Sequence, residues 1–202
     1  MRTVVPYADE QPKTRLSDVL APEERRAFAR AMLDDVLAAV RAAGGEPTVL
    51  STGTLDVDAP VTVDERALSP AVNAALDDAA GPVAVVMADL ALATGDAVER
   101  LYAAEADVAI APGLGGGTNA LAVRHSGFRV DYHGVSVRDH RERARTVGAS
   151  VAAVDSFRLA TDVDERADLA EVLLHGAGAA RDWLVDAGFE VVADGGRVGV
   201  RR

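Results

Sequence analysis

Apolar runs of strand length alternate with helical segments along this chain. The pattern predicts strands over 3–5, 48–51, 83–87, 108–111 and 151–154, and helices over 22–43, 69–80, 95–104, 137–147 and 164–174. After a last helix at 181–187, two short strands are expected. The alternation predicts one α/β domain over 1–202, with a mainly parallel sheet and helices on both faces. Ligands of such sheets bind at the carboxyl ends of the strands.

Composition excludes several classes of protein. The 202 residues include no cysteine, so any metal must be held by oxygen or imidazole ligands. The net charge of −11 argues against a broad nucleic-acid-binding surface, whereas binding of free nucleotides in a local basic pocket remains possible. No apolar run approaches the roughly 20 residues of a membrane span, and the amino terminus does not resemble a secretory signal. We therefore expect a cytoplasmic protein without a membrane partner.

Lys13 is the single lysine among 21 basic residues, a balance typical of salt-adapted or high-GC organisms. It lies with Arg15 in a basic segment that follows the first strand and a loop predicted over 6–13. A compact ammonium suits phosphate as a point charge. Lys13 and Arg15 are therefore candidates to bind a triphosphate; the alternative is a solvated basic turn.

Three aspartates are candidate ligands of a divalent metal. Asp89 follows the apolar run 83–87, where a parallel strand would deliver it to the ligand crevice. Asp162 and Asp164 form a pair just before a predicted helix, and all three together can share Mg²⁺. In nucleotidyl transfer such carboxylates hold the metal, which neutralises phosphate charge, and do not act as bases. The alternative for Asp162 or Asp164 is to cap the helix.

Other polar residues are weaker candidates. In the glycine-rich segment 115–119, the Thr118 hydroxyl and the Asn119 amide can bond a phosphate or carboxylate, although a flexible turn also explains the glycines. Asn73 can read a base edge, or can be an ordinary helical asparagine. The spacing of His125, His133 and His140 matches no metal-binding helix motif, and nearby arginines favour an anion pocket.

Taken together, these segments resemble a known family, the 2-phospho-L-lactate guanylyltransferases of coenzyme F-420 biosynthesis. These are relatives of molybdenum-cofactor guanylyltransferases and sugar-nucleotide transferases. The resemblance runs from Val4 to about Leu174. The matching segments are Val5-Pro6, 13–17, Glu24-Arg25, 32–36, 115–121, 136–140, 162–164 and Asp168-Leu169.

The resemblance implies a single-domain, Rossmann-like nucleotidyltransferase fold and a homodimer. It implies transfer of GMP from GTP to 2-phospholactate, giving lactyl-diphospho-guanosine and pyrophosphate; close relatives accept phosphoenolpyruvate. By position, it assigns Asp89 and Asp162, with Asp164 nearby, to Mg²⁺, and Lys13 and Arg15 to the triphosphate. It further assigns Thr118 and Ser136 to the acceptor and Asn73 to the nucleotide.

Two departures from the family pattern affect the expected site. Ala8 stands where many relatives have lysine, which can weaken triphosphate binding, and His133 stands where relatives often have glycine, which can alter acceptor choice. The acceptor, phospholactate against phosphoenolpyruvate or phosphoglycerate, stays open, as does GTP against other triphosphates. A molybdopterin or sugar-phosphate nucleotidyltransferase is a rival, although its glycine-rich loop after the first strand is missing. A non-catalytic nucleotide-binding domain is a second rival.

Overall fold

A computed structural model describes residues 1–8 and 12–202; residues 9–11 of the predicted 6–13 loop lie outside the described residues. A 3-10 turn spans Thr14–Leu16. The strands are β1 Arg2–Tyr7, β2 Glu46–Ser51, β3 Val61–Val63, β4 Val83–Val86, β5 Val108–Pro112, β6 Thr118–Val123, β7 Val151–Ala153, β8 Glu190–Asp194 and β9 Arg197–Arg201. The helices are α1 Pro22–Ala42, α2 Leu68–Asp77, α3 Gly95–Ala103, α4 Ser136–Thr146, α5 Phe157–Ala160, α6 Asp168–His175 and α7 Ala179–Asp186.

Seven strands form one sheet in the order β3-β2-β1-β4-β6-β5-β7. The strand pairings of this sheet are parallel except those of β6, which runs antiparallel to both β4 and β5. The expected mainly parallel sheet is therefore confirmed. Because β6 runs against its neighbours, its first residue, Thr118, lies at the edge of the sheet where β4 and β5 end. β8 and β9 form a separate antiparallel hairpin.

Helices cover both faces of the sheet, as expected. Val4 and Val5 are neighbours on β1 but belong to different apolar clusters, because successive side chains of a strand point to opposite faces. One cluster contains the apolar face of α1, including Phe28 and Leu33, together with α6 and α7. The other contains Val72 of α2 and Ala144 of α4.

The boundaries of α1 follow the signals in its sequence. Pro22 occupies the first turn, and the side chain of Glu24 accepts a hydrogen bond of 2.9 Å from the backbone of Ala21. Gly44, at φ +71°, stops the helix in a conformation that favours glycine. Across the described part of the chain, no helix combines the length and the apolar character needed to cross a membrane.

Several elements differ from the prediction. β1 continues through Pro6 to Tyr7, because its register with β4 ends at Val4 and only β2 pairs with the proline. α6 begins at Asp168 and not at Asp164, since the carboxylate of Asp168 accepts bonds from the backbone of Asp164 (2.9 Å) and Glu165 (2.7 Å). The short elements β3 and α5 carry too few residues to show a period and were not predicted.

Candidate active site

A cavity of about 410 Å³ opens at the carboxyl ends of β1 and β4. The end of β1, the basic segment after it and the end of β4 supply most of its walls, and α1 supplies the rest. Its lining residues are Pro6, Tyr7, Ala8, Pro12, Lys13, Thr14, Arg15, Ala29, Met32, Met87, Ala88, Asp89 and Asp164. The cavity therefore brings together four of the predicted site residues.

Lys13 lies between two of the predicted metal ligands. Its Nζ donates to Asp89 Oδ2 at 2.8 Å and to Asp164 Oδ1 at 2.9 Å. Burial works against the ammonium charge, but attraction to the two carboxylates and hydrogen bonds to them outweigh it and raise the pKa of Lys13. Among described residues, Lys13 is the one non-glycine at positive φ, 54°. A left-handed backbone at this point costs free energy, which the ion pairs can offset.

Arg15 lies at the rim of the same cluster. Its side chain is 68% exposed and its guanidinium approaches Asp164 Oδ2 at 3.5 Å, a long contact of little energetic weight. The exposure leaves the guanidinium able to reorient towards an anion in the cavity.

Asp162 is held in place by Asn119. Its Oδ1 accepts a 3.0 Å bond from the amide of Asn119, which also donates to the backbone oxygen of Ala160 at 3.2 Å. Burial raises the pKa of the Asp162 carboxyl, and repulsion from Asp89 and Asp164 raises it further, although the Asn119 bond acts against both. From the sequence, the Asn119 amide is a candidate donor to a ligand; in the structure that amide holds the carboxylate of Asp162 instead.

The chemistry of these carboxylates fits a divalent cation. Asp89 Oδ1 is buried and has no hydrogen-bond partner among the described residues, and a buried unsatisfied carboxylate oxygen is costly. A cation at that oxygen would satisfy it and relieve the repulsion felt by Asp162. The described residues include no group of three or more potential ligands gathered around one point. The ammonium of Lys13 stands between Asp89 and Asp164 instead.

Neither Asp162 nor Asp164 caps α6, which was the alternative role. The side chain of Asp168 accepts the backbone bonds before that helix, while the side chains of Asp162 and Asp164 face Asn119 and Lys13. Both aspartates therefore bond polar side chains of the site, Asp162 with Asn119 and Asp164 with Lys13.

Thr118 and Ser136, the predicted acceptor contacts, lie together but are nearly buried. The Ser136 hydroxyl donates to Thr118 Oγ1 at 3.3 Å, and Nδ1 of His140 lies 2.8 Å from the same oxygen. Neither residue lines the 410 Å³ cavity. The adjacent residue in β6, Asn119, connects this group to Asp162.

Asn73 is not brought to the cavity. Its amide donates to the backbone oxygen of Val130 at 3.0 Å and accepts from the Val130 nitrogen at 2.8 Å, so it joins α2 to the segment before α4. The side-chain nitrogen and oxygen of Asn73, which were expected to bond a base edge, are therefore bonded to the backbone of Val130.

The three histidines do not converge. His140 is fully buried, His133 is 70% exposed and contacts Asp131, and His125 accepts a bond from the backbone of Gly127. The three histidines therefore do not line one common pocket among the described residues. The sequence alone assigned no role to His140 by itself. Its position four residues after Ser136 places both side chains on one face of α4, which could have indicated that they lie together.

A second cavity, of about 420 Å³, adjoins the first. The two share Pro6, Tyr7, Ala8 and Met87. The second extends to the end of β2 and the start of α2, where Ser51, Asp64 and Arg66 supply polar groups. Together they form a cleft across the carboxyl ends of three parallel strands, the usual ligand position of such sheets.

Solved structures support the fold. A nucleotidyl transfer enzyme from Methanothermobacter superposes with a TM-score of 0.63 at 13% identity, covering 93% of this chain and 98% of the other. A 2-C-methyl-D-erythritol 4-phosphate cytidylyltransferase from Thermus thermophilus gives 0.57 at 15% identity, covering 86% and 95%. At these identities the likeness shows the fold alone.

Sequence relatives are much closer. A 2-phospho-L-lactate guanylyltransferase of Haloarcula marismortui is 62% identical over 100% of this chain and 99% of its own. The enzyme of the same name from Halomicrobium mukohataei is 60% identical, with full coverage of both chains. The profile of the family described as guanylyl transferase CofC like matches residues 1–202. With its full length matched by that profile, the chain belongs to the CofC-like guanylyl transferase family.

Proposed function

We propose that this protein transfers the guanylyl group of GTP to 2-phospho-L-lactate, forming lactyl-diphospho-guanosine and pyrophosphate in coenzyme F-420 biosynthesis. The observation that carries the proposal is the Lys13–Asp89–Asp164 cluster in the strand-end cavity. It combines the cation and the carboxylates that a triphosphate and its metal require. The names of the relatives supply the substrate pair. We place the reaction in the cytoplasm, where GTP is available.

Bond formation in this reaction needs little from the protein beyond positioning. An oxygen of the acceptor phosphate attacks the α-phosphorus of GTP, and the bond to the β-phosphate breaks with its electrons leaving on pyrophosphate. The nucleophile is already ionised, so no general base is required. The protein must hold two anions together and offset their charge.

Asp89, Asp162 and Asp164 would hold Mg²⁺, whose chemistry is to neutralise charge on the α-phosphate and on departing pyrophosphate. The buried, unpartnered Oδ1 of Asp89 and the repulsion at Asp162 support this assignment. Nζ of Lys13 donates to Asp89 and to Asp164. Lys13 and Arg15 both line the cavity, where they would bind phosphate oxygens of GTP.

The two joined cavities suggest how GTP lies. The first has the basic residues and carboxylates, which suit the triphosphate and its metal. The second is lined by apolar residues such as Leu68 with polar groups at Ser51 and Arg66, a lining that suits a nucleoside. We assign the guanosine to this second cavity. Asn73 would act on it only through α2, whose first residues line the cavity.

The phosphorylated acid is assigned to the Thr118–Ser136 side of the site. Both hydroxyls suit an anionic oxygen, and Asn119 connects them to the carboxylate cluster. Phosphoenolpyruvate and phosphoglycerate carry the same phosphate and carboxylate groups and are the competing acceptors. We also propose a homodimer, which light scattering on the purified protein would test.

The test is acceptor-dependent release of pyrophosphate. Purified protein with Mg²⁺ and GTP is given phospholactate, phosphoenolpyruvate, phosphoglycerate or no acceptor, at high salt because of the acidic composition. Release with phospholactate alone supports the proposal in full, and release with another acid changes the acceptor. Binding of GTP without release under any of these conditions would establish the non-catalytic alternative.

A further inference from the structure

Three buried polar side chains meet where β6 faces the start of α4. Thr118 and Ser136 are each 4% exposed and His140 is fully buried. Ser136 and His140 lie four residues apart on one face of α4, and both reach Thr118 Oγ1, at 3.3 and 2.8 Å. Buried polar groups are retained at a cost unless they are bonded, so the whole network must be satisfied.

The structure determines which nitrogen of His140 carries a proton. Nε2 lies 2.8 Å from the backbone nitrogen of Asp131, which can only donate. Nε2 therefore accepts and has no hydrogen, so the neutral ring carries its proton on Nδ1 and donates to Thr118 Oγ1. Burial, with repulsion from Arg143, lowers the pKa of His140 to about 4, which keeps this tautomer at neutral pH.

Counting hydrogens shows that the network retains one free donor. The His140 Nδ1–H and the Ser136 hydroxyl both donate to Thr118, which uses the lone pairs of that oxygen. The hydroxyl hydrogen of Thr118 then has no acceptor among the described residues. If the two hydroxyls exchange roles, the hydrogen of Ser136 is left over instead. In both cases one hydroxyl hydrogen is left without an acceptor in the network, and an anionic oxygen suits it.

We propose that His140 is a positioning residue for the phosphorylated acid: its Nδ1–H holds the Thr118–Ser136 pair so that one hydroxyl hydrogen is donated to the acceptor. The inference rests on the proposed function, and it assigns a task to a residue that would not touch the substrate. With a hydrogen on Nε2 and a bare Nδ1, the ring would accept from Thr118, and the network would lose its outward donor.

Aromatic neighbours hold the ring of His140 in this orientation. The ring lies edge-on to Tyr132 at 5.0 Å and to Phe128 at 6.0 Å between centroids. A phenylalanine at position 140 keeps this packing and removes both ring nitrogens. An asparagine places an amide N–H near the position of Nδ1, whereas a glutamine places its amide near that of Nε2.

The first experiment compares steady-state kinetics of His140→Phe, His140→Asn and His140→Gln. We expect His140→Phe to raise KM for phospholactate by about tenfold or more, the effect of one lost buried hydrogen bond, while KM for GTP stays within about twofold. His140→Asn should recover most of the loss and His140→Gln should not. His125→Phe is the matched control, because His125 lies outside this network. Equal effects on both substrates, or no effect, would overturn the proposal.

A double-mutant cycle tests whether His140 acts through Thr118. Thr118→Val should raise KM for phospholactate, and adding His140→Phe to it should cause little further change. Fully additive effects would show that His140 acts by another route. Near-ultraviolet circular dichroism identifies any variant that has lost its packing, and His140→Asn then carries the comparison.

Nitrogen NMR supplies a readout that needs no turnover. The His140 ring should show a protonated Nδ1 and a bare Nε2, and the Nδ1 signal should move on adding phospholactate but not GTP. A protonated Nε2, or a signal indifferent to phospholactate, would overturn the proposal. Failure of the proposed function would appear differently, as no acceptor-dependent pyrophosphate release by the unaltered protein.

Discussion

At the scale of single residues, the main charged contacts of the cavity are those of Lys13 and Asp89. The Lys13 ammonium is 2.8 Å from Asp89 and 2.9 Å from Asp164, while the second oxygen of Asp89 stays unpartnered among the described residues. The Lys13 ammonium thus pairs with two carboxylates, while Oδ1 of Asp89 accepts no hydrogen bond from the described residues. The unpartnered oxygen of Asp89 is the one that a metal ion would satisfy.

Replacing Asp89 by Asn should lower pyrophosphate release by about 100-fold or more. The reason is that the variant lacks the negative charge with which Asp89 would hold the metal ion at the phosphates. The fold should persist, because Asn keeps the shape of the side chain. Asp186→Asn, on the exposed end of α7, is the control. Full turnover by Asp89→Asn with Mg²⁺ would show that the metal assignment is wrong.

Lys13 offers a chemical test, because it is the only lysine in the chain. Its raised pKa and its two carboxylate partners should make it react slowly with an amine-acetylating reagent at pH 8.5. Asp164→Asn should speed the reaction severalfold, since one partner and its charge are removed. Mass spectrometry of the peptide containing Lys13 gives the rate, and Asp186→Asn is again the control. Equal rates in all three proteins would contradict the ion-pair cluster.

At the scale of elements, helix α7 receives its amino-terminal cap from another helix. Both oxygens of Asp35 on α1 accept bonds from the backbone of α7, at 2.6 Å from Ala179 and 2.9 Å from Ala180. Gly178 lies against the same carboxylate, where a Cβ would clash. Asp35 therefore adds a polar attachment of α7 to α1 beside the apolar packing of these helices.

Asp35→Ala should lower the free energy of unfolding by about 1–2 kcal/mol, the usual value of a helix cap. Asp34→Ala is a matched control, because the Asp34 carboxylate makes an i, i+4 contact of 3.4 Å with Arg30 and caps none of the described helices. This substitution should change the free energy of unfolding by less than about 0.5 kcal/mol. Urea denaturation of the two variants gives both values. Equal losses would rule out a special role for Asp35.

Attachment of α4 to β6 through His140 should make stability depend on pH. The pKa of His140 in the folded protein is about 4, below the ordinary histidine value of 6.5, so between these values the unfolded chain binds a proton that the folded chain does not. Stability is therefore complete above pH 6.5 and falls as pH decreases towards 4, by up to about 3 kcal/mol. The charged groups that act on the ring are Arg143, His133, Asp131 and Asp139.

The measurement is urea denaturation between pH 4 and 7.5 for the unaltered protein and for His140→Phe. The variant should lack this part of the pH dependence. His133→Asn, at a 70% exposed histidine, should retain it. A pH profile that is the same in the unaltered protein and in His140→Phe would mean that His140 does not titrate as inferred.

At the scale of the whole molecule, a net charge of −11 acts on the folded chain. Mutual repulsion of the acids opposes compaction, and salt screens it within a few ångströms at molar concentration. The melting temperature should therefore rise by several degrees between 0.1 M and 2 M KCl. A melting temperature that does not change with KCl would show that other interactions already compensate the acidic surface.

Local patterns were sufficient to predict most of the secondary structure. The helices α1 to α4 and the strands β2, β4, β5 and β7 follow from apolar period and from terminal signals such as Pro22 and Gly44. They could be predicted because these signals act over one or two turns of chain. Three of the candidate site residues, Lys13, Asp89 and Asp164, also lie together, since strand ends meet at one edge of a parallel sheet.

The sequence by itself therefore determined most of the elements, the α/β class and, through its motifs, the family. Only the tertiary structure decided that β6 runs antiparallel, that Asn119 bonds Asp162 and that the amide of Asn73 serves the backbone. It also decided that His140 lies behind Thr118. The physical reason is distance along the chain: Lys13 and Asp164 are 151 residues apart, and Asn119 and Asp162 are 43 apart. Contacts of this range depend on how sheets and helices pack, which no local period encodes.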